Sequence, residues 1–235
     1  MPDAPYLGDL NKTNILFGLI RVSPAERNDA WRSQFLEALP QASFRCGTPQ
    51  VVRGPDGFPY FQLLLPEPGM EFQCFVIEQM KADFLLQNGF GIVINARESG
   101  PDWVLSHGDI VNLHVNREFY TEHSAFSTAQ ADEVTAEDEQ VLVGQPSEAI
   151  LPAPTRKLLA QLLQAHGIAT PKAALIIRQS PSGARQSLVF NFTPETFPSP
   201  DLYHSVMRAL PWYLPRHYAL VGMAESALGD GFAPL

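Results

Sequence analysis

Residues 124–140, SAFSTAQADEVTAEDEQ, hold five acidic side chains and no basic one. A stretch this charged, with so few large apolar residues, buries too little surface to offset the entropy of ordering its backbone. It constrains the chain more than any other feature, because a core must then be built separately on each side of it. We read residues 124–140 as an acidic linker or solvated loop, with one domain over residues 1–123 and another over residues 141–235.

The length of 235 residues suits one large domain or two small ones. With 45% hydrophobic and 10% aromatic residues, the chain can fill a proper core. Charge is spread unevenly around the divider. Residues 1–123 carry 9 basic and 15 acidic side chains, residues 124–148 carry 0 and 6, and residues 149–235 carry 7 and 4. The net charge of −9 disfavours nucleic acid, since phosphate binding needs clustered Lys and Arg. It disfavours anionic membrane surfaces for the same reason. Only Cys46 and Cys74 occur, without zinc spacing or a disulfide framework, which fits a reducing compartment. The N-terminal MPDAPYLGDLNKTN lacks the basic and apolar regions of a secretory signal. No apolar run approaches the roughly 18–20 residues of a membrane span. The expectation is a cytoplasmic protein that uses neither metal nor cofactor.

Apolar patterning makes the first half α+β. NILFGLIRV (14–22) leans toward a strand. The following helix has Ser23 and Glu26 in capping-box spacing and Pro24 in its first turn. Trp31, Phe35, Leu36 and Leu39 give its apolar stripe. Strands over ASFRC, PQVVR and FPYFQLLLP, joined by the turn GPDG, predict a hairpin or meander. EFQCFV predicts another strand, IEQMKADFLLQNG a helix ended by Gly89, and FGIVINA a strand. DWVLSH and DIVNLHVN predict a closing hairpin across His107, Gly108 and Asp109.

The second half reads strand, helix, strand, strand, helix, strand. VLVG (141–144) leads through a proline-rich connection to a Leu helix ended by Gly167. KAALIIRQ and RQSLVFNF are strands, SPDLYHSVMRAL a second helix, and HYALVGM the last strand. This β-α-β-β-α-β order is that of a ferredoxin-like split βαβ domain, with two helices over one face of an antiparallel sheet. Leu188, Phe190 and Phe192 alternate toward the helices, and Ser187, Val189 and Asn191 toward the open face.

Gly144, Gln145 and Pro146, the Leu helix, and the strand entered through Pro171, Lys172, Ala173, Ala174 and Leu175 resemble the C-terminal domain of the bacterial SseB (enhanced serine sensitivity) family. The resemblance spans roughly residues 141–223. It implies a two-domain α+β protein without a settled activity and without a catalytic motif to transfer.

Two sets of residues are candidates for function. On the predicted strand 109–116, Asn112, His114 and Asn116 share one face, and His107 lies at the turn before it. These four predict the wall of a small-molecule cleft between the domains. The familiar histidine metal spacings are absent, as are a GxSxG elbow, a dinucleotide loop and a Walker lysine loop. Ser106, His107 and Asp109 are too close along one strand to act as a triad. The second set is a protein-docking surface on the open sheet face and the aromatic turn after the last helix: Ile176, Arg178, Val189, Asn191, Trp212, Tyr213 and Arg216. Trp, Tyr and Arg are the usual anchors of interfaces. The balance of these features points to a non-enzymatic accessory or interaction protein, with an unidentified protein partner or a second copy of the chain. The alternative is a ligand-binding protein or enzyme built around His107 and His114.

Overall fold

The computed structural model describes residues 7–97, 100–126, 140–180 and 183–235. Its contacts divide the chain into two units, Met1–Ile110 and Val111–Leu235. Both units mix helices with a sheet, so the fold class is α+β. Of the acidic stretch, residues 127–139 lie outside the described residues.

The first unit opens with a helix where the sequence predicts a strand. α1 (Leu10–Leu19) begins because the Asp9 carboxylate accepts from the backbone N–H groups of Asn11 and Lys12. Thr13 and Leu16 are buried, and Phe17 and Ile20 are half-buried. That spacing is helical, and it was masked by the density of apolar residues around it. α2 (Asp29–Ala38) starts later than the Ser23 cap implies. Asn28 is the actual cap and accepts from Trp31 N at 2.9 Å, while Ser23 makes no capping bond. Trp31, Phe35 and Leu39 are buried as the stripe predicts. Trp31 Nε1 donates to Leu19 O at 2.8 Å, adding a second donor to a carbonyl at the end of α1 that Val22 N already reaches at 3.1 Å.

The hairpin of β1 (Arg45–Arg53) and β2 (Pro59–Leu64) turns at Gly54–Gly57. α3 (Ile77–Met80) continues as π-helical turns over Lys81–Leu86 and returns the chain to β3 (Gly91–Ile94), parallel to β2. β4 (Trp103–Leu105) closes the sheet antiparallel, in the order β1-β2-β3-β4. EFQCFV forms no strand. It contributes one isolated bridge, Phe44 to Phe75.

DIVNLHVN is not a strand either. It belongs to α4 (His107–Asn116). Ser106 N donates to Asp109 Oδ2 at 2.8 Å and Asp109 N donates to Ser106 Oγ at 3.1 Å, a reciprocal cap that starts the helix. Every residue from His107 to Leu113 is buried. A helix covered on all sides needs no amphipathic period, so the alternation of Val, Leu and Asn carried a false signal. The division between the two units falls inside this helix.

The second unit contains β5 (Gln140–Gly144), α5 (Ala153–Ala165), β6 (Lys172–Ser180), β7 (Gly183–Phe190), α6 (Pro200–Tyr213), β8 (Leu220–Gly222) and β9 (Ala233–Pro234). Along the chain the first six follow the predicted order, but in space the sheet runs β5-β6-β7-β8. A split βαβ unit leaves room for a strand between the two that its helix joins. Here β5 and β6, joined through α5, are antiparallel neighbours, and β7 and β8, joined through α6, are parallel neighbours. The ferredoxin-like arrangement is therefore corrected. Proline-bearing segments on both sides of α5, with Gly167 at φ 95°, carry the helix out and back to the same end of the sheet.

Two apolar layers flank this sheet. Leu175, Leu188, Phe190 and Phe192 pack with Leu159 and Leu163 of α5 and Val206 and Leu210 of α6. On the opposite face Ala174, Ile176 and Val189 pack with Phe232, Met223 and Leu228. The C-terminal segment thus lies across the face that the sequence leaves open, and β9 pairs with the start of β6.

Candidate functional site

The four residues of the predicted cleft fall on α4, where the helical period separates them. His107 and His114 are seven positions apart and share a face, and Asn112 and Asn116 lie on another. His107 is fully buried. Burial holds its pKa down to about 4, against a hydrogen bond with the Phe90 backbone that raises it. A neutral, enclosed imidazole cannot line a cleft open to substrate, so this part of the expectation is corrected. Asn112 is also buried and holds together the segment after α4. Its Nδ2 donates to Glu118 O at 3.0 Å and to Thr121 Oγ1 at 3.1 Å, and its Oδ1 accepts from Asn116 Nδ2 at 2.6 Å. Ser106 and Asp109 are occupied in capping the helix. Among the described residues, no group of three or more His, Cys, Asp or Glu is placed to hold a metal ion.

The predicted docking surface is also redistributed. Val189 is 0% exposed and Ile176 5%, beneath Phe232 and its neighbours. Asn191 accepts from Lys172 N at 2.7 Å and donates to Thr170 O at 2.9 Å and Glu225 Oε2 at 3.1 Å. Glu225 in turn pairs with Lys172, and these hydrogen bonds hold its carboxyl below the usual range. Residues 172, 191 and 225 thereby pin the C-terminal segment to the sheet.

The aromatic turn seals a core. α6 runs through Pro211 to Tyr213 and buries Trp212. Tyr213 is half-buried, and burial raises its pKa. Tyr218 stacks on Phe126 at 4.2 Å, and its hydroxyl donates to Ile150 O at 2.8 Å. Arg216 is exposed and lies over the Tyr120 ring at 4.6 Å. Burial lowers the pKa of His217 beside it, against the Glu118 carboxylate, which raises it. Of the predicted docking residues, Arg178 and Arg216 are the two that the structure leaves exposed.

What stands open instead is the outer strand of this sheet. Val141, Leu142 and Val143 of β5 are 47%, 43% and 42% exposed. An ordinary outer strand buries alternate residues. Here consecutive side chains on both faces remain accessible. The strand carries no charge, proline or bulge, the devices that usually blunt a sheet edge. Val141 is opposite Arg178, so a basic group stands beside the apolar row. Sequence reasoning identified VLVG as a strand but not as an edge. With no charge or proline in it, VLVG reads like a central strand, so its residue types give no signal of an edge. The chain matches no protein-family model, no curated protein and no solved structure.

Proposed function

We propose that this chain is a non-enzymatic accessory protein of the bacterial cytoplasm that acts by binding another protein, with β5 as the docking edge. The occupant is an extended segment with apolar residues at alternate positions and an acidic residue set against Arg178. Addition of a strand to an open edge supplies main-chain hydrogen bonds, and alternate side chains supply selectivity. The observation that carries this proposal is the exposure of Val141, Leu142 and Val143 together on an unprotected strand. The resemblance of residues 141–223 to the C-terminal domain of the SseB family, whose members have no settled activity, belongs to the same proposal. The reducing location rests on Cys46 and Cys74, both free. Among the described residues no helix is long and apolar enough to cross a membrane.

A photo-crosslinking residue at Leu142, with exposed Gln161 on α5 as the control, tests the proposal in cells. A discrete adduct at position 142, absent at 161 and mapping to an extended acidic-apolar peptide, is expected. Val141→Glu should suppress it, because the new carboxylate occupies Arg178 and repels an acidic segment. An adduct with a second copy of the chain would replace the proposal with self-association. Equal labelling at both positions, or none at 142, would overturn it.

A further inference from the structure

The first unit contains a cavity of about 430 Å³ at the carboxyl ends of the parallel strands β2 and β3. The volume falls in the roughly 300–1,000 Å³ range of small-molecule sites. Its walls are mostly apolar, lined by Phe17 of α1 and Ile20 just after that helix, and by Leu64 at the end of β2 and Pro66 beyond it. The polar groups are Arg45, Glu67, Asn95 and Arg97.

These polar groups are held in place by the fold. Asn95 has φ 49°, a left-handed conformation that costs energy in any residue with a Cβ and that Asn tolerates better than most. Its Oδ1 accepts from Leu65 N at 2.9 Å and its Nδ2 donates to Asp102 Oδ2 at 3.0 Å, which fixes the floor of the cavity. Arg45 pairs with Glu67 through Nη2 at 2.5 Å. Its Nε is buried and finds no acceptor among the described residues. A buried donor without an acceptor is costly, and it marks a place for one.

Charge decides the class of ligand. Glu67 neutralises Arg45, and Asp102 lies closer to Arg27, at 2.8 Å, than to Arg97, at 3.8 Å. Arg97 is 61% exposed and supplies the remaining positive charge. Glu71 lines a second cavity of about 270 Å³, which shares Arg45 and Glu67 with this one, and is absent from the lining of the larger. The site therefore offers one net positive charge, a spare guanidinium donor and an apolar wall. We propose that this cavity binds a small amphipathic monocarboxylate. Arg97 and Arg45 hold the carboxylate, and Phe17, Ile20 and Leu64 receive the apolar body. Arginine suits this role because its planar fork matches a carboxylate.

Titration calorimetry of the full chain with indole-3-acetate, phenylacetate and hexanoate tests this, using indole-3-acetamide as the uncharged isostere. At least one acid is expected to bind with a Kd of about 0.1–1 mM, and the amide at least tenfold more weakly. Arg97→Gln should weaken binding about tenfold with an unchanged melting temperature, because the side chain is largely exposed. Arg45→Gln should weaken binding similarly and also lower the melting temperature, because it breaks the pair with Glu67, and backbone amide shifts on titration of the parent should centre on Asn95 and Ala96. Amide binding equal to acid binding would overturn the proposal. So would full affinity in Arg97→Gln, or no binding by any of the three acids up to about 10 mM. None of these readouts involves β5, so this site stands or falls apart from the docking edge.

Discussion

Arg27 grips Asp102 twice, through Nη2 to Oδ1 at 2.8 Å and through Nη1 to the backbone carbonyl at 3.2 Å. Both side chains are largely buried, at 14% and 13% exposed. Arg27 also lies over the Trp31 ring at 4.6 Å and donates from Nε to Val22 O. Removing one member of such a pair leaves a buried charge without its partner, which typically costs about 3–5 kcal/mol. Asp102→Ala should therefore lower the unfolding free energy by about 3 kcal/mol in a urea titration. Arg27→Lys keeps the charge but loses the fork, and should cost about 1–2 kcal/mol. Equal and small losses would show that the pair contributes no more than a surface bridge.

His107 makes the protein sensitive to acid. Its pKa in the folded chain is about 4, below the ordinary 6.5, because burial disfavours the charged ring. Unfolded chains take up this proton as pH falls through about 6.5, and the folded chain resists until about 4. The stability that neutral His107 permits is therefore complete above about pH 6.5 and is lost progressively down to about pH 4, a total of about 3 kcal/mol. His107→Phe removes this proton linkage. Urea midpoints for both proteins at pH 7 and about pH 4.5 should show the variant losing roughly 2–3 kcal/mol less than the parent between the two. A difference that does not change with pH would exclude His107 as the cause.

Two serines in equivalent-looking capping positions should behave differently. Ser106 accepts from Asp109 N at 3.1 Å, so Ser106→Ala should cost about 1 kcal/mol. Ser23 makes no capping bond, and Ser23→Ala should stay within about 0.5 kcal/mol. Asn28→Ala should cost about 1 kcal/mol, because Asn28 is the true start of α2. Thermal melts of the three single variants decide between the cap seen in the structure and the one suggested by spacing.

Phe232 is 8% exposed and covers Ala174, Ile176 and Val189. Phe232→Ala should destabilise the second unit by about 3 kcal/mol. It should also increase binding of an apolar fluorescent dye under native conditions, since Val189 and Ile176 lose their cover. A variant with unchanged stability and no added dye binding would mean that the C-terminal segment lies on the sheet without holding it.

Elements with a strong period and an ordinary surroundings were legible from sequence. α2, α5 and α6 show their buried stripes in Trp31 and Phe35, Leu159 and Leu163, and Val206 and Leu210. The β1–β2 hairpin is announced by its Gly-Pro-Asp-Gly turn. α1 and α4 are helices where local pattern predicts strands, because their neighbourhoods override that pattern. One begins at an aspartate cap outside the apolar run, and the other is buried on every side. The strand order of the second sheet depends on where a helix connection returns, which residue types do not encode. Phe232 was missed because one aromatic among glycines and prolines looks like a tail. The candidate sites were hardest to see. Arg45, Asn95 and Arg97 meet only through strand pairing, and Asn95 gives no signal in sequence beyond closing an apolar run.

The cover over Ile176 and Val189 includes Phe232, which the ribosome adds 42 residues after the end of β7, once β6 and β7 are complete. At translation rates of about 5–20 residues per second, a nascent chain shows a naked apolar sheet for some seconds before Phe232 arrives. Early folding of this unit therefore passes through a sticky stage that holdase chaperones are suited to shield.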